Sequence, residues 1–230
     1  MSKKEFRFIP ALDVLDLETV EKIAEKTGKS NLVYGYKLGF SLGLTYGLGR
    51  VVDLIRRHSE KPIIYDHQKA ATDIPDTGAL FARTMKNAGI NEAILFPQAG
   101  PETLKAWIEA LQNESLKVIV GGLMTHKAYV VSEGGFLEDK GIETIYRTAV
   151  EKAVSAFVVP LTKPDAVEKL VAAVNFPPQS EFYSPGFGSQ GGDAGRFPGI
   201  SRHYLIVGRA LLSAADPMAW LEKAAAEIRS

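Results

Sequence analysis

The segment that decides the fold is KPIIYDHQKAATDIPDTGALFARTMKNAGINEAILFP, residues 61–97. It opens with a short apolar run over 62–65, which is typical of a buried strand. A stretch with helical spacing follows at 76–89 and ends in glycine, and a second apolar run occupies 92–97. Strand, helix and strand in this order predict a βαβ unit with two parallel strands.

The same alternation runs along the whole chain. The predicted strands cover residues 7–14, 33–40, 61–68, 92–97, 116–123, 155–161, 181–185 and 203–208. The predicted helices cover residues 17–28, 46–60, 76–89, 101–113, 142–153, 163–174 and 215–229. The strands are apolar runs without period-two alternation, as expected for parallel strands covered on both faces. Eight such units in 230 residues predict an α/β protein, a (β/α)8 TIM barrel, with one domain over 1–230. A doubly wound open sheet is the alternative.

Composition excludes several classes of function. Hydrophobic residues make up 46% of the chain, which is enough for a sizeable core. Lys+Arg and Asp+Glu are both 27, so a broad surface for nucleic acid is not expected. The absence of cysteine excludes disulfides, thiolate metal sites and a cysteine nucleophile. The chain shows neither a secretory signal nor an apolar run long enough for a membrane, so we expect a soluble, cytoplasmic protein.

Charged residues cluster where the third predicted strand ends. Asp66, Lys69 and Asp73 lie within eight residues, directly after an apolar run. Burying charges costs several kcal/mol per ion, as an order of magnitude, unless each is paired. In a (β/α)8 barrel the active site lies at the carboxyl ends of the strands, where Asp13 and Lys37 are also expected. The sequence therefore predicts an alternating Asp/Lys array at the barrel mouth, in which each carboxylate favours the neighbouring ammonium.

A second candidate site involves the last two strands. The stretch SPGFGSQGGDAG, residues 184–195, has five glycines, and IVGRALL follows at 206–212. Loops after strands 7 and 8 commonly bind phosphate in this barrel. Gln190 can donate from its amide, and Arg209 can hold a phosphate with two parallel hydrogen bonds. A glycine-rich loop alone could be a plain surface loop, but one paired with an arginine after an apolar strand favours a phosphate site.

These motifs together resemble one known family. The Asp–Lys–Asp run followed by IPDT, the loop PGFGSQGGD and the strand IVGRALL are similar to those of the orotidine 5′-phosphate decarboxylases of the compact archaeal type. ALDV at 11–14 and YKLGF at 36–40 match the family's first two strand motifs. The resemblance implies decarboxylation of orotidine 5′-monophosphate to UMP, the last step of de novo pyrimidine biosynthesis, without a cofactor or metal. It also implies a homodimer with shared active sites.

The resemblance also implies roles for single residues. Lys69 resembles the proton donor, Asp66 the aspartate beside the substrate carboxylate, Lys37 the second lysine of the network, and Asp73 an aspartate contributed by the partner subunit. The implied substrate-binding residues are Asp13 at the ribose, Thr77 beside Asp73, Thr125 at the pyrimidine, and Pro185, Gln190, Gly208 and Arg209 around the phosphate.

One spacing departs from the family pattern. The family has Asp-x-Lys-x-x-Asp, whereas here each gap between Asp66, Lys69 and Asp73 is one residue longer. A bulge at the strand end could absorb the extra residue, or His67 could take the first position. Two other functions stay open: a Mg²⁺-dependent sugar-phosphate aldolase of the hexulose-phosphate synthase type, and a nucleotide-binding barrel without catalysis.

Overall fold

The predicted strands form one parallel barrel. The structure, a computed structural model, describes residues 5–67, 73–188, 192 and 202–229. Its strands are β1 (Glu5–Pro10), β2 (Tyr36–Leu38), β3 (Ile63–Asp66), β4 (Glu92–Leu95), β5 (Lys117–Gly121), β6 (Ala156–Val158), β7 (Glu181–Pro185) and β8 (Arg202–Val207). They pair in parallel in the order β1-β8-β7-β6-β5-β4-β3-β2. Single bridges from Phe8 to Val33 and from Ala11 to Lys37 join β1 to β2. The single-domain (β/α)8 prediction is confirmed.

The helices cover the outside of the barrel. They are α1 (Leu17–Thr27), α2 (Phe40–Tyr46), α3 (Leu48–Arg56), α4 (Gly78–Asn87), α5 (Pro101–Asn113), α6 (Asp139–Glu151), α7 (Pro164–Ala173), α8 (Arg209–Leu212) and α9 (Pro217–Arg229). Short 3-10 turns occupy Pro75–Thr77 and Val131–Glu133. Among the described helices none is both long and apolar enough to cross a membrane.

The prediction of a single helix over 46–60 is wrong. The chain instead forms α2 and α3, separated by Gly47, whose φ of 79° lies in the left-handed region. The predicted strand over 33–40 is correspondingly shorter, because Phe40 already belongs to α2. Glycine adopts this backbone angle without the Cβ clash of other residues, so Gly47 ends one helix and begins the next.

Side chains on the strands alternate between two apolar cores. Ile9, Ile64 and Ile94 belong to the core inside the barrel, whereas Ile63 and Tyr65 belong to the core between strands and helices. Both faces of each strand are therefore buried, which explains the continuous apolar runs. The alternation also directs a residue two positions beyond an inward one into the barrel mouth.

The amino-terminal end of the barrel is filled by a polar network. Glu92 is 3% exposed and accepts hydrogen bonds from the hydroxyls of Tyr34, at 2.5 Å, and Tyr183, at 2.9 Å. Lys117 donates to the Tyr183 hydroxyl at 2.9 Å and pairs with Glu181. Burial raises the pKa of Glu92, although Lys117 and the two tyrosines act in the opposite direction. Because active sites of this fold lie at the other end, this network contributes to stability.

Candidate active site

A cavity of about 290 Å³ opens at the carboxyl ends of the strands. Its lining contains seven of the predicted site residues: Asp13, Lys37, Asp66, Thr125, Pro185, Gly208 and Arg209. The other lining residues are mostly apolar and come from β1, β4 to β8 and the loops that follow them. The structure thus gathers side chains from across the sequence into one pocket at the end of the barrel where this fold places its chemistry.

Lys37 is the centre of the charged side of this pocket. Its strand neighbours Tyr36 and Leu38 pack outward in the core under the helices, so Lys37 points into the barrel. Its side chain is 5% exposed, and its Nζ lies 3.1 Å from Asp66 Oδ2 and 3.4 Å from Asp13 Oδ2. Two carboxylates from neighbouring strands therefore hold one buried ammonium in place.

Backbone contacts between β1 and β2 bring Asp13 to this position. The N–H of Leu12 donates to the carbonyl oxygen of Lys37 at 2.8 Å, which sets the next residue, Asp13, beside the lysine. A Cβ on Gly39 would lie 2.6 Å from Asp13 Oδ1, so this glycine leaves room for the carboxylate. The N-cap of α1 is Asp16, which accepts from the N–H of Thr19 at 2.7 Å. Asp13 is therefore not the helix cap, and its carboxylate is available to the pocket.

The electrostatics of the array keep Lys37 charged. Burial alone would lower the pKa of its ammonium group, but the carboxylates of Asp66 and Asp13 outweigh burial, and the net pKa lies above its ordinary value. Lys37 is therefore a fixed cation at neutral pH and not a general base. Within the described residues, no group of three or more His, Asp or Glu side chains is arranged to hold a metal ion.

Asp66, and not His67, faces the pocket after β3. Asp66 lies two positions beyond the inward residue Ile64, and its side chain is 16% exposed. His67 is exposed, and its ring contacts Tyr65, whose hydroxyl is hydrogen-bonded to Nδ1. Strand alternation thus directs the aspartate inward despite the longer spacing to Lys69. Lys69 itself lies outside the described residues.

Asp73 and Thr77 do not line the pocket of their own chain. Asp73 is exposed, and its Oδ1 accepts from the N–H of Ile74 at 2.7 Å. The Thr77 hydroxyl donates to the carbonyl oxygen of Ile74 at 2.8 Å, and the side chain of Trp107 donates to the same oxygen at 3.1 Å. The backbone of this segment is hydrogen-bonded to the side chains of Thr103 and Trp107 on α5, and it does not line the pocket that contains the Asp13–Lys37–Asp66 array.

The predicted phosphate residues lie on another side of the pocket. Pro185 ends β7, while Gly208 and Arg209 follow β8, and all three line the cavity. Arg209 is exposed and lines the cavity. Gly192 donates from its N–H to the carbonyl oxygen of Gly186 at 3.0 Å. Gln190 lies outside the described residues.

Sequence reasoning missed the apolar wall of the pocket. Phe96, Met124 and Phe187 line the cavity, as do Leu123 and Val158. Two of them had a readable signal: Phe96 follows the inward residue Ile94 by two positions, and Val158 lies within the predicted strand 155–161, at the end of the observed β6. An apolar wall with few polar groups is the usual construction of a small-molecule site.

Comparison with known proteins agrees with this geometry. The pocket and barrel define an enzyme-like (β/α)8 protein with a charged and an apolar side. A family model described as "Orotidine 5'-phosphate decarboxylase / HUMPS family" matches residues 7–224. The chain belongs to this family.

Similar proteins extend over nearly the full length. A protein of Methanosarcina barkeri named orotidine 5′-phosphate decarboxylase is 35% identical, covering 99% of this chain and 97% of the relative. One of Methanosarcina mazei with the same name is 31% identical, covering 96% and 92%. The crystal structure of orotidine 5′-monophosphate decarboxylase from Methanocaldococcus jannaschii, complexed with the inhibitor BMP, superposes with a TM-score of 0.82 at 25% identity and full coverage of both chains.

Proposed function

We propose that this protein decarboxylates orotidine 5′-monophosphate to UMP, the last step of de novo pyrimidine biosynthesis. The observation that carries the proposal is the buried Lys37 ammonium between Asp66 and Asp13, in the mouth of a barrel of this family. The full-length relatives named above are decarboxylases, which favours this activity over the aldolase alternative. A cytoplasmic location is part of the proposal, following the expectation from composition.

The reaction demands a fixed charge more than a reactive group. When the bond between C6 and the carboxylate breaks, CO2 leaves and the electron pair stays on C6 in an sp2 orbital, with no neighbouring carbonyl to delocalise it. A preorganised ammonium beside C6 stabilises this carbanion and then transfers its proton to form the C–H bond. Solvent returns a proton to the lysine. We assign this ammonium to Lys69, two positions beyond the described segment that ends at His67, and no cofactor is needed for the step.

The remaining residues bind and orient. Asp66 lies beside the departing carboxylate, and Asp13 contacts the ribose hydroxyls. Lys37 pairs with both carboxylates and is their shared counter-ion. Thr125 contacts the pyrimidine. Pro185, Gln190, Gly208 and Arg209 surround the phosphate, whose binding energy holds the base against the charged array.

We propose further that the active unit is a homodimer in which Asp73 and Thr77 complete the partner's site. Both lie outside the pocket of their own chain, which supports a role in trans. Two large apolar side chains next to them are exposed, Ile74 at 58% and Leu80 at 70%. Exposed apolar side chains beside functional polar ones are typical of an interface between subunits.

The direct test is absorbance-monitored turnover of orotidylate in the presence of EDTA. We expect conversion to UMP that is unaffected by the chelator. Activity on a hexulose phosphate that requires Mg²⁺ would support the aldolase instead. Tight UMP binding with no turnover of orotidylate would support the binding barrel without catalysis.

A further inference from the structure

The hydroxyl of Tyr146, on α6, is buried beneath the carboxyl ends of β5 and β6. Tyr146 is 0% exposed. Its hydroxyl donates to the carbonyl oxygen of Val158 at 2.6 Å and accepts from the N–H groups of Gly122, at 2.9 Å, and Leu123, at 3.2 Å. A phenolic hydroxyl has one donor and two acceptor sites, so its hydrogen-bonding capacity is fully used. One side chain thus joins the ends of two neighbouring strands.

Two successive glycines make this arrangement possible. A Cβ on Gly122 would lie 2.9 Å from Cε2 of Tyr146, so the glycine leaves space for the tyrosine ring. A Cβ on Gly121 would lie 2.4 Å from Cζ of Phe96, which lines the pocket. Successive residues of a strand face opposite sides. Gly121 therefore makes room inside the barrel, while Gly122 makes room on the helix side.

The segment held in this way forms part of the pocket. Leu123, which carries the second anchored N–H group, lines the cavity together with Met124 and Thr125. The far end of this segment is also held, because the Thr162 hydroxyl donates to the carbonyl oxygen of Thr125 at 3.2 Å. Buried N–H groups at a strand end need a partner, and without the tyrosine hydroxyl this backbone would have to shift to find one.

We propose that Tyr146 is a positioning residue that sets the pocket wall against the pyrimidine ring. The proposal rests on the proposed function, which places the base at Thr125. Tyr146 does not line the cavity and acts only through the backbone that its hydroxyl holds, at residues 122–125 and at Val158. It governs recognition of the base and leaves the phosphate side of the pocket, built from β7 and β8, unaffected.

The test is the substitution Tyr146→Phe, which removes only the hydroxyl. We expect the Kd for UMP and the KM for orotidylate to rise about tenfold, since displaced contacts weaken binding steeply. We expect kcat to stay within about threefold, because a wall that contacts the base alike in ground state and transition state changes KM alone. The inhibition constant of ribose 5-phosphate, which lacks the base, should be unchanged.

The matched control is Tyr36→Phe. Tyr36 is also 0% exposed, and its hydroxyl is hydrogen-bonded to that of Thr27 at 2.9 Å, with no part in the pocket lining. This variant should lose stability but keep the wild-type ratio of UMP to ribose 5-phosphate affinity. The Tyr36→Phe variant therefore shows what the loss of a buried tyrosine hydrogen bond does when the pocket wall is not affected.

Two results would overturn the proposal. One is an unchanged UMP affinity in Tyr146→Phe, and the other is an equal weakening of UMP and ribose 5-phosphate. If that variant does not fold, Gly122→Ala decides, because its Cβ displaces the tyrosine ring and should weaken UMP selectively. The binding ratio is measured without turnover, so a wild-type protein inactive on orotidylate would count against the proposed function and not against this inference.

Discussion

At the scale of the residue, the site depends on one lysine held between two carboxylates. Lys37 is buried, yet the charges of Asp66 and Asp13 keep its pKa raised. Removing one member of a buried ion-paired group leaves a buried charge without a partner. The stability lost in this way is far greater than the net stability that the intact group contributes. The Lys37 ammonium therefore stays charged throughout the neutral range and is a fixed charge in the pocket in which we propose that Lys69 donates the proton.

The role of Lys69 can be tested by truncation. We expect Lys69→Ala to remove nearly all turnover of orotidylate, while the Kd for UMP stays within about tenfold, roughly 1.4 kcal/mol. The reason is that UMP, the product, no longer needs a proton donor. Lys86→Ala is the control, since Lys86 is exposed on α4, and it should behave as wild type. Retention of more than a few per cent of wild-type kcat by Lys69→Ala would exclude Lys69 as the proton donor.

The proposed contact between Arg209 and the phosphate can be tested separately from the rest of the pocket. We expect Arg209→Ala to lower kcat/KM for orotidylate, with a loss of transition-state stabilisation of about 2–3 kcal/mol, since charge-assisted hydrogen bonds are stronger than neutral ones. The reaction of the phosphate-free nucleoside should barely change. Arg202→Ala serves as the control because Arg202 begins β8, at the opposite end of the same strand. Equal losses on both substrates would mean that Arg209 has a structural role.

At the scale of the element, Gly47 and the strand alternation decide what reaches the site. The helix α2 begins at Phe40, one residue after the strand that carries Lys37, and ends at the break at Gly47. Alternation along β3 sends Ile64 and Asp66 inward and Tyr65 outward. Strand alternation therefore places Asp66 at the barrel mouth, beside the Lys37 that β2 carries.

Alanine substitutions at two glycines, Gly47 and Gly49, test the helix break between α2 and α3. We expect Gly47→Ala to destabilise the protein by about 1–2 kcal/mol, because φ is 79° and a Cβ there meets no other atom, leaving backbone strain alone. Gly49→Ala, two residues on within α3, should stabilise by about 0.4–1 kcal/mol, since its Cβ also meets nothing. Urea unfolding of both variants gives the two values, and equal signs would contradict the helix break.

At the scale of the whole molecule, one chain leaves Asp73 and Thr77 outside its own pocket. A C2 dimer is the commonest closed assembly, and its interface repeats the same surface on both subunits. The exposed side chains of Ile74 and Leu80 flank this segment. Burying them between subunits would bring Asp73 towards a neighbouring active site.

Subunit mixing tests the shared site. Lys69→Ala and Asp73→Ala subunits should each be inactive, but a heterodimer would contain one site with both changes and one with neither. Activity should return to roughly a quarter of wild type by random pairing in a C2 dimer. Mixing Lys69→Ala with Lys37→Ala is the control and should stay inactive, since both lysines serve the same chain's site. A first mixture that stays inactive after verified subunit exchange would assign Asp73 to its own chain.

The alternation of apolar runs and helical stretches was sufficient to predict the barrel, and the strand ends were sufficient to predict Asp13, Lys37, Asp66 and Arg209 as pocket residues. These features follow from local periodicity, because a strand has two faces and parallel strands end at one edge. The motifs in the sequence also predicted the family, which the family model and the full-length relatives confirm.

Tertiary structure alone decided features that join residues far apart in the chain. The network around Glu92 links it to Tyr34 and Tyr183, and the hydroxyl of Tyr146 holds Gly122. No periodicity reveals such contacts, because each depends on which side chains the closed barrel brings together. The split of the predicted helix at Gly47 belongs here too, since a glycine within an apolar helical pattern is compatible with either a continuous helix or a break, and packing selects between them.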